Sequence, residues 1–370
     1  MREELVTVFL GGDVMLGRGV DQILPHPGDP ALRESFVRDA RSYVELAEAA
    51  NGPVPRPADF RRPWGEALAA LDDAAPDMRV INLETSVTAD GDFAPGKGVH
   101  YRMHPANLPC LAVARPDVCA LANNHVLDFG ARGLRETLDV LADAGLRTAG
   151  AGDDVTRARR PAAVSLDEGH RVLVLSFGMP SSGIPPAWAA TADRAGVALV
   201  EDPSPATAAP LARRVRQLRR PGDIVVASVH WGPNWGYDVT PAERDFAHTL
   251  VDAGVDIVHG HSSHHPRPLE IHHDRLVLYG CGDLVDDYEG ITGHAAYRDD
   301  LRVLYLVRVE AGTGRLAGLD MVPLRARRMR LEHAPAEDTA WLRAVLDEHS
   351  RAFGTRVATG PDGTLTASRA

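Results

Sequence analysis

The chain has 370 residues, a formal net charge of −11 and 44% hydrophobic residues, which is the balance of a globular protein. Its acidic balance leaves no basic stripe that could follow a phosphate backbone, so we expect no nucleic-acid partner. Its 3 cysteines are widely spaced and form no CxxC pair, which argues against a disulfide framework and a thiolate zinc site. No signal-peptide pattern is visible and no apolar run reaches the ~18 residues of a membrane helix. We therefore expect a cytoplasmic protein without a membrane partner.

Short apolar, β-branched runs recur along the chain, and they alternate with helical patterns. In chain order the predicted strands are LVTVFL, MRVINLE, DVCALA, RVLVLSF, DIVVASVH, VDIVHG, RLVLYG and LRVLYLVRV. Amphipathic helices are predicted over residues 31–50 and 133–146, and Thr240-Pro241-Ala242-Glu243 has the spacing of a capping box. This alternation predicts an α/β fold in which β-sheets are flanked by helices.

We expect one large domain followed by a C-terminal segment. Residues 1–325 carry the strand–helix alternation and form the predicted catalytic domain. Residues 326–370 contain a charged helix, predicted over residues 339–353, and a tail of small residues ending TLTASRA. We expect this segment to pack on the domain or to trail from it with a frayed end.

Polar side chains suited to metal binding follow predicted strands at five places. They are Asp13, Glu84, Asn124 with His125, His230, and His259 with His261. The carboxyl ends of strands in an open α/β sheet converge on one crevice, so these groups can meet although they lie far apart in the sequence. A single histidine at a strand end is more often structural, but donors at five strand ends favour a shared site. Nitrogen and oxygen donors together suit a divalent cation, with Mn, Zn, Fe and Ca left open.

Five motifs carry a family resemblance. GDVMLGRGVD, INLETS, LANNHVLDFG, VHWG and HGHSSHHP, in this order and spacing, resemble the CapA family over about residues 6–300. That family is named for poly-γ-glutamate capsule synthesis and is similar in fold to calcineurin-like metallophosphoesterases. The resemblance implies metal ligation by Asp13, Glu84, Asn124, His230, His259 and His261. It also implies that His125 exchanges a proton with the substrate, and Asp128 is near enough in sequence to orient it.

The sequence departs from the metallophosphoesterase pattern at two positions. Met15 stands where that fold usually supplies a histidine, and Glu84 replaces the usual bridging aspartate. A thioether is unsuited to a hard divalent ion. We therefore expect one metal rather than two, which weakens phosphoester hydrolysis because that reaction profits from a two-metal clamp.

Further candidates could contact a substrate. The HWGPNWGYD loop supplies Trp231, Trp235 and Tyr237, which could grip an apolar side chain or simply pack the loop. Cationic partners for a substrate carboxylate are Arg18, Arg102 and Arg267, with Lys97 as a further possibility. His294 with Asp299 forms a second His/Asp set beyond the last motif, and a surface loop explains it equally well. His264 and His265 are left open as cleft residues, whereas we expect His272 and His273 in an exposed turn and not as ligands.

Four functions are compatible with such a site. The sequence favours a metal-dependent peptide epimerase similar to CapA-like lasso-peptide enzymes, in which His125 with Asp128 and His294 with Asp299 would exchange the Cα proton of a peptide substrate. The alternatives are CapA-type poly-γ-glutamate synthesis or hydrolysis, a metal-dependent phosphoesterase, and a non-catalytic metal-binding module. The apparent lack of an anchor, the aromatic loop and Met15 favour the epimerase. The oligomeric state is left open.

Overall fold

The fold is layered, with β-sheets between helices. The computed structural model describes residues 4–166, 169–360 and 362–370. Its strands are β1 (Leu5–Val14), β2 (Met78–Leu83), β3 (Ser86–Val87), β4 (Arg102–Met103), β5 (Val118–Ala120), β6 (Arg147–Ala149), β7 (Ala151–Gly152), β8 (Ala162–Ser165), β9 (Arg171–Gly178), β10 (Gly196–Val197), β11 (Asp223–His230), β12 (Ile257–His261), β13 (Leu269–His272), β14 (Arg275–Leu278), β15 (Asp283–Val285), β16 (Leu301–Glu310), β17 (Leu316–Ala326), β18 (Leu331–His333), β19 (Thr355–Thr359) and β20 (Leu365–Arg369). The helices are α1 (Arg18–Ile23), α2 (Arg41–Asn51), α3 (Ala67–Ala74), α4 (Pro109–Ala112), α5 (Gly130–Asp143), α6 (Val155–Ala158), α7 (Pro205–Leu218), α8 (Pro241–Asp252) and α9 (Ala336–Ser350).

Most strands belong to two large sheets. The first has the order β19-β20-β17-β16-β1-β2-β5-β6, with β15 also paired to β1 and β18 to β17. The second has the order β13-β14-β12-β11-β9-β8. Two short pairs, β3 with β4 and β7 with β10, lie outside them. The prediction of an α/β fold with sheets flanked by helices is confirmed.

Three hydrophobic clusters separate the layers. Val8 and Leu10 of β1 face Ile224 and Val226 of β11 in the cluster between the two sheets. The opposite face of the first sheet packs against α1 to α5, and the opposite face of the second sheet packs against α7 and α8. The central strands are therefore buried on both faces, which is why they read as continuous apolar runs in the sequence.

The predicted strands and helices are mostly confirmed. Each of the eight predicted strands forms, and Thr240 and Glu243 make the reciprocal capping-box hydrogen bonds at the start of α8. The helix predicted over residues 31–50 is wrong in its first half, since α2 begins only at Arg41. The preceding segment forms a loop closed by a bridge between Ala31 and Asp39. This loop turns Glu34 into the protein, where it pairs with Arg18.

The C-terminal segment continues the first sheet. The predicted boundary after residue 325 falls inside β17, and β18 pairs with that strand. The prediction of a frayed tail is wrong, because β20 forms hydrogen bonds with both β17 and β19. The division into two domains stays a prediction. Among the described residues, no helix combines the length and the apolar character needed to cross a bilayer.

Parallel pairing brings the candidate site residues to one edge of the two sheets. β1 and β2 run parallel with Asp13 opposite Asn82, and β1 and β15 run parallel with Asp13 opposite Asp283. In the second sheet, β11 and β12 run parallel with His230 opposite His261. The carboxyl ends of these strands therefore converge, as in other α/β folds.

The close approach of β1 to residue 282 gives a test of this packing. A Cβ atom on Gly12 would lie 1.8 Å from the carbonyl oxygen of Gly282, so Gly12→Ala forces the backbone apart. We expect it to lower the free energy of unfolding by about 1–3 kcal/mol or more in urea titrations. Gly98→Ala is the matched control, because a Cβ atom there meets nothing within 4 Å. Equal stabilities of the two variants would contradict this packing.

Candidate functional site

Asp13, His230 and His261 form a first group of candidate metal ligands. All three are completely buried, and one ligand atom from each lies within 4.8 Å of the others. Nδ1 of His230 is 2.8 Å from Nδ1 of His261, which in turn is 3.9 Å from Oδ1 of Asp13. Two imidazole nitrogens that face each other beside a carboxylate are an arrangement suited to a divalent ion.

Glu84 and Asn124 border this first group. Nε2 of His230 is 3.0 Å from Oδ1 of Asn124 and 3.8 Å from Oε1 of Glu84. The amide of Asn82 donates to Asp13 at 2.7 Å and to Glu84 at 3.1 Å, which holds the two carboxylates side by side. The structure thus brings five of the six predicted ligands together.

The sixth predicted ligand, His259, lies behind the group. Its Nε2 is 2.8 Å from the carbonyl oxygen of Gly11, and its Nδ1 is 3.2 Å from Oγ of Ser228. The hydroxyl of Ser228 also contacts Nε2 of His261 at 2.8 Å. Alternate residues of a strand share a face, so His259 points the same way as His261 but meets the backbone of β1. The structure corrects its predicted role from ligand to support for His261.

Asp13, His264 and Asp283 form a second group that shares Asp13 with the first. Their ligand atoms also lie within 4.8 Å of one another, and Nδ1 of His264 is 2.9 Å from Oδ1 of Asp283. Oδ2 of Asp283 is buried and has no hydrogen-bond partner among the described residues. The strand-end pattern does not predict Asp283, and it leaves the role of His264 open. A signal for Asp283 is present in the sequence, because the motif Gly-Asp-aliphatic follows a predicted strand twice, in GGDV and in CGDL.

The charges of the two groups fit a divalent cation. Burial, and then the neighbouring charge of Asp283, raises the pKa of Asp13 to about 7. Burial, followed by the charges of Asp13 and Asp283, also raises the pKa of Glu84. Burial lowers the pKa of His230 and His261, so both imidazoles are neutral and have lone pairs to offer. A divalent ion would compensate the crowded carboxylates, and the residues present therefore fit such an ion.

Other residues supply the metal-ligand atoms that Met15 does not offer. Met15 is completely buried and serves as a core residue. His264 and Asp283 offer nitrogen and oxygen donors beside Asp13, so the reason given for expecting a single metal no longer holds. The described residues contain candidate ligands for two neighbouring ions.

His125 lies at the border of the first group with an orienting carboxylate. Its Nδ1 is 2.6 Å from Oδ2 of Asp128, and its Nε2 is 3.9 Å from Oε1 of Glu84. Burial lowers the pKa of His125 to about 4 despite the opposing charge of Asp128. His125 is therefore neutral, and Nδ1 donates to Asp128, which leaves the lone pair of Nε2 facing the ligand groups.

Lys97 caps this pair from the long loop between β3 and β4. Its Nζ lies 3.0 Å from Nδ1 of His125 and forms an ion pair with Asp128. The Tyr101 ring meets the His125 ring edge-on at 4.6 Å, and the Tyr101 backbone donates to Asp128 at 2.7 Å. This loop therefore fixes the position of His125, rather than offering Lys97 to a substrate carboxylate.

Three of the predicted substrate residues are internal. Arg18 is 4% exposed and its guanidinium binds Asp287 and Glu34, so a substrate carboxylate would have to displace one of them. Trp231 donates to the carbonyl oxygen of Tyr279 at 3.0 Å and packs in the core over α8. Arg267 is 1% exposed and donates to the carbonyl oxygen of Asp238 beneath the loop. The structure corrects all three assignments to structural roles.

The other aromatic residues of the loop form an outer cluster. Trp235 stacks on His294 with ring centroids 3.8 Å apart, and its centroid is 5.3 Å from that of His264. Tyr237 packs against His265, whose Nε2 accepts a hydrogen bond from the Gly236 backbone. Trp235 and Tyr237 are partly exposed and therefore remain the predicted substrate residues of this loop.

The second predicted His/Asp set does not adjoin His125. His294 belongs to the outer aromatic cluster, whereas Asp299 lines a separate cavity of about 400 Å³ with Arg302 and Arg325. The contacts described for His294 and Asp299 link neither residue to His125 or to Asp128. A role of this set as the acid and base opposed to His125 stays a prediction, because opposed groups lie on two sides of a bound substrate and need not touch.

Arg102 is the predicted substrate arginine that stays available. Its guanidinium lies over the Phe129 ring at 4.2 Å, and no ion pair within 4 Å involves it among the residues that the structure describes. Arg33 lies over the neighbouring Phe93 ring at 4.8 Å. Arg102 thus packs on the residue that directly follows Asp128 in the sequence.

Removal of single carboxylates tests the two ligand groups. We expect Asp13→Asn, which touches both groups, to weaken manganese binding in both, and Asp283→Asn to weaken it mainly in one. The expected loss of affinity is on the order of tenfold or more, measured by elemental analysis after dialysis of folded protein. His26→Gln, at an exposed histidine, is the control. Full metal occupancy in folded Asp13→Asn would contradict the assignment of Asp13 as a metal ligand.

Comparison with known proteins agrees with the resemblance read from the motifs. The family model "Bacterial capsule synthesis protein PGA_cap" matches residues 7–288. The probable polyglutamine synthesis accessory protein Rv0574c of Mycobacterium tuberculosis (strain ATCC 25618 / H37Rv) is 56% identical over 98% of this chain and 96% of that protein. PGA biosynthesis protein CapA of Bacillus subtilis (strain 168) is 26% identical over 85% of this chain and 70% of that protein. Capsule biosynthesis protein CapA of Bacillus anthracis is 26% identical over 87% of this chain and 67% of that protein. The chain belongs to the bacterial capsule synthesis protein PGA_cap family.

Proposed function

We propose that the chain is a metal-dependent enzyme that cleaves or transfers amide bonds in a glutamate- or glutamine-based polymer during polymer synthesis. The family and the names of its relatives support the substrate class. The position of His125 is the observation that supports the proposed type of reaction. Its Nε2 faces the carboxylate of Glu84 at 3.9 Å, next to two groups of candidate metal ligands.

The proposed reaction assigns metal binding and proton transfer to different residues. Asp13, His230, His261, His264 and Asp283 would hold the divalent ions, with Glu84 and Asn124 at their border. Such ions polarise a carbonyl group and acidify water. His125 would take a proton at Nε2 from the attacking water or amine as that nucleophile bonds to the amide carbon, and it would return the proton to the departing amide nitrogen as the C–N bond breaks. Asp128 fixes the tautomer of His125 and stabilises the imidazolium.

A polyanionic substrate needs cations near this site. The chain itself carries a formal net charge of −11, so a glutamate polymer is repelled unless local positive charge compensates. Arg102 and Arg33 lie on the Phe129 and Phe93 rings with no ion pair recorded in the described parts of the chain. We infer that they bind side-chain carboxylates of the polymer on its way to His125.

Phosphoester hydrolysis is a second candidate. Asp13 belongs to both ligand groups, and a shared carboxylate between two ions is the basis of a two-metal clamp on a phosphoryl group. The family and the names of its relatives favour polymer synthesis over peptide epimerisation.

Incubation of metal-loaded protein with α- and γ-linked glutamate oligomers in D₂O separates the reactions. We expect the oligomers to change length without deuterium at Cα, because amide chemistry leaves the Cα–H bond intact. His125→Gln should slow this change by about 10²–10⁴-fold and keep its metal, whereas His26→Gln should match the parent protein.

Each other outcome contradicts the proposal. Deuterium uptake at unchanged length would restore the epimerase. Unchanged oligomers together with His125-dependent hydrolysis of bis(p-nitrophenyl) phosphate would establish the phosphoesterase. Retention of metal without turnover of any of these substrates would favour the non-catalytic binding module.

A further inference from the structure

A second histidine-rich cluster lies where α8 meets β13, at the outer edge of the second sheet. It contains His248 and Asp252 of α8, Glu270 and His272 of β13, and His273 in the following turn. The sequence pattern predicts His272 and His273 in an exposed turn and not as ligands. The structure instead places His272 at the end of β13, partly buried against α8, and leaves only His273 exposed.

The secondary structure aims these side chains at one another. His248 and Asp252 are four residues apart, so they lie on the same face of α8. Glu270 and His272 are two residues apart, so they lie on the same face of β13. Antiparallel pairing of β13 with β14 places His272 opposite Arg275, next to the tight turn that contains His273.

The distances match a metal-ligand set. Nε2 of His248 is 3.0 Å from Oε1 of Glu270, close to the ~3.3 Å edge of a tetrahedral zinc site. The His248 and His272 rings stack nearly parallel with centroids 3.6 Å apart, so one ring has to turn before both can direct a nitrogen lone pair at one ion. Ligand atoms of His248, Glu270 and His272 lie within 4.8 Å of one another. A second triad of Asp252, His272 and His273 shares His272.

One ring nitrogen of His272 lacks a hydrogen-bond partner among the described residues. Its Nε2 is shielded from solvent and makes no hydrogen bond with any described residue, and Oδ1 of Asp252 is 3.6 Å away. Two imidazolium ions stacked at 3.6 Å would repel each other strongly, so at least one ring is neutral and offers a lone pair.

We propose that His248, Glu270 and His272 bind a divalent ion of the zinc type, with Asp252 and His273 as adjoining ligands. Imidazole-rich donor sets select Zn²⁺, Ni²⁺ or Cu²⁺ over Mg²⁺ and Ca²⁺. The carboxylate of Glu270 is already oriented by Tyr279 at 2.7 Å and Arg244 at 3.1 Å, as metal-binding carboxylates usually are.

The bound ion joins α8 to the edge strand. β13 is the last strand of its sheet, and its outer edge donates backbone hydrogen bonds to the side chains of Ser350 and Thr355. α8 begins directly after the loop that carries Trp235, so the ion also fixes the helix that anchors this loop. An ion that binds only the folded chain raises its thermal stability.

Zinc titration of metal-stripped full-length protein tests this site. We expect the parent protein to bind one Zn²⁺ more than His272→Gln in equilibrium dialysis, and to show a larger zinc-induced rise in Tm. His248→Gln should behave like His272→Gln, which keeps the test valid if one variant fails to fold. His26→Gln, at an exposed histidine outside the cluster, should match the parent protein.

A variant of the other centre separates the two sites. His261→Gln should keep the zinc ion of this cluster, since His261 belongs to the group with Asp13 and His230. Equal zinc stoichiometry and affinity in the parent protein, His272→Gln and His248→Gln would overturn the proposal. So would an equal loss of zinc in His26→Gln, which would show adventitious binding to surface histidines.

Discussion

Buried negative charge at the ends of the central strands is the constraint around which the site is built. Asp13, Glu84 and Asp283 are almost completely shielded from water. This burial, followed by the charges of the neighbouring carboxylates, raises the pKa of Asp13 and of Glu84. Burying carboxylates costs several kcal/mol for each ion unless a partner compensates the charge. Parallel pairing of β1 with β2 and β15 leaves no freedom to separate them. The fold therefore concentrates charge that a divalent cation would stabilise, and the neutral histidines opposite complete the donor set.

Hydrogen bonds through two asparagine side chains connect His125 to the buried carboxylates. Asn123 donates to Asn82 at 3.0 Å and to the carbonyl oxygen of Leu83 at 2.8 Å, and its own oxygen accepts from the backbone of His125 at 3.1 Å. Asn82 in turn holds the carboxylate of Asp13. Ser262, with a φ of 105°, adopts the left-handed region that favours glycine, and its backbone donates to the same carboxylate at 3.1 Å. Strained backbone of this kind clusters at functional sites.

The sequence predicts most of the site from ligand chemistry at strand ends, although His259 also fits that rule and contacts the β1 backbone instead. Asp13, Glu84, Asn124, His230 and His261 satisfied that rule and meet in space. The strand-end rule does not identify Asp283, because only the tertiary structure shows that the short strand β15 lies beside β1. Arg18 and Trp231 were assigned to substrate because side-chain type does not reveal burial. The sequence pattern does not predict the strands β17 to β20, since half-buried strands with mixed polar residues lack the continuous apolar pattern of the central strands.

Asp13 joins two neighbouring groups of candidate ligands. A crystal structure of manganese-loaded protein, with anomalous difference maps collected near the manganese edge, would locate the ions. We expect one peak among Asp13, His230 and His261, and a second among Asp13, His264 and Asp283. A fully loaded protein with no anomalous peak in contact with Asp13 would contradict this arrangement of ligands.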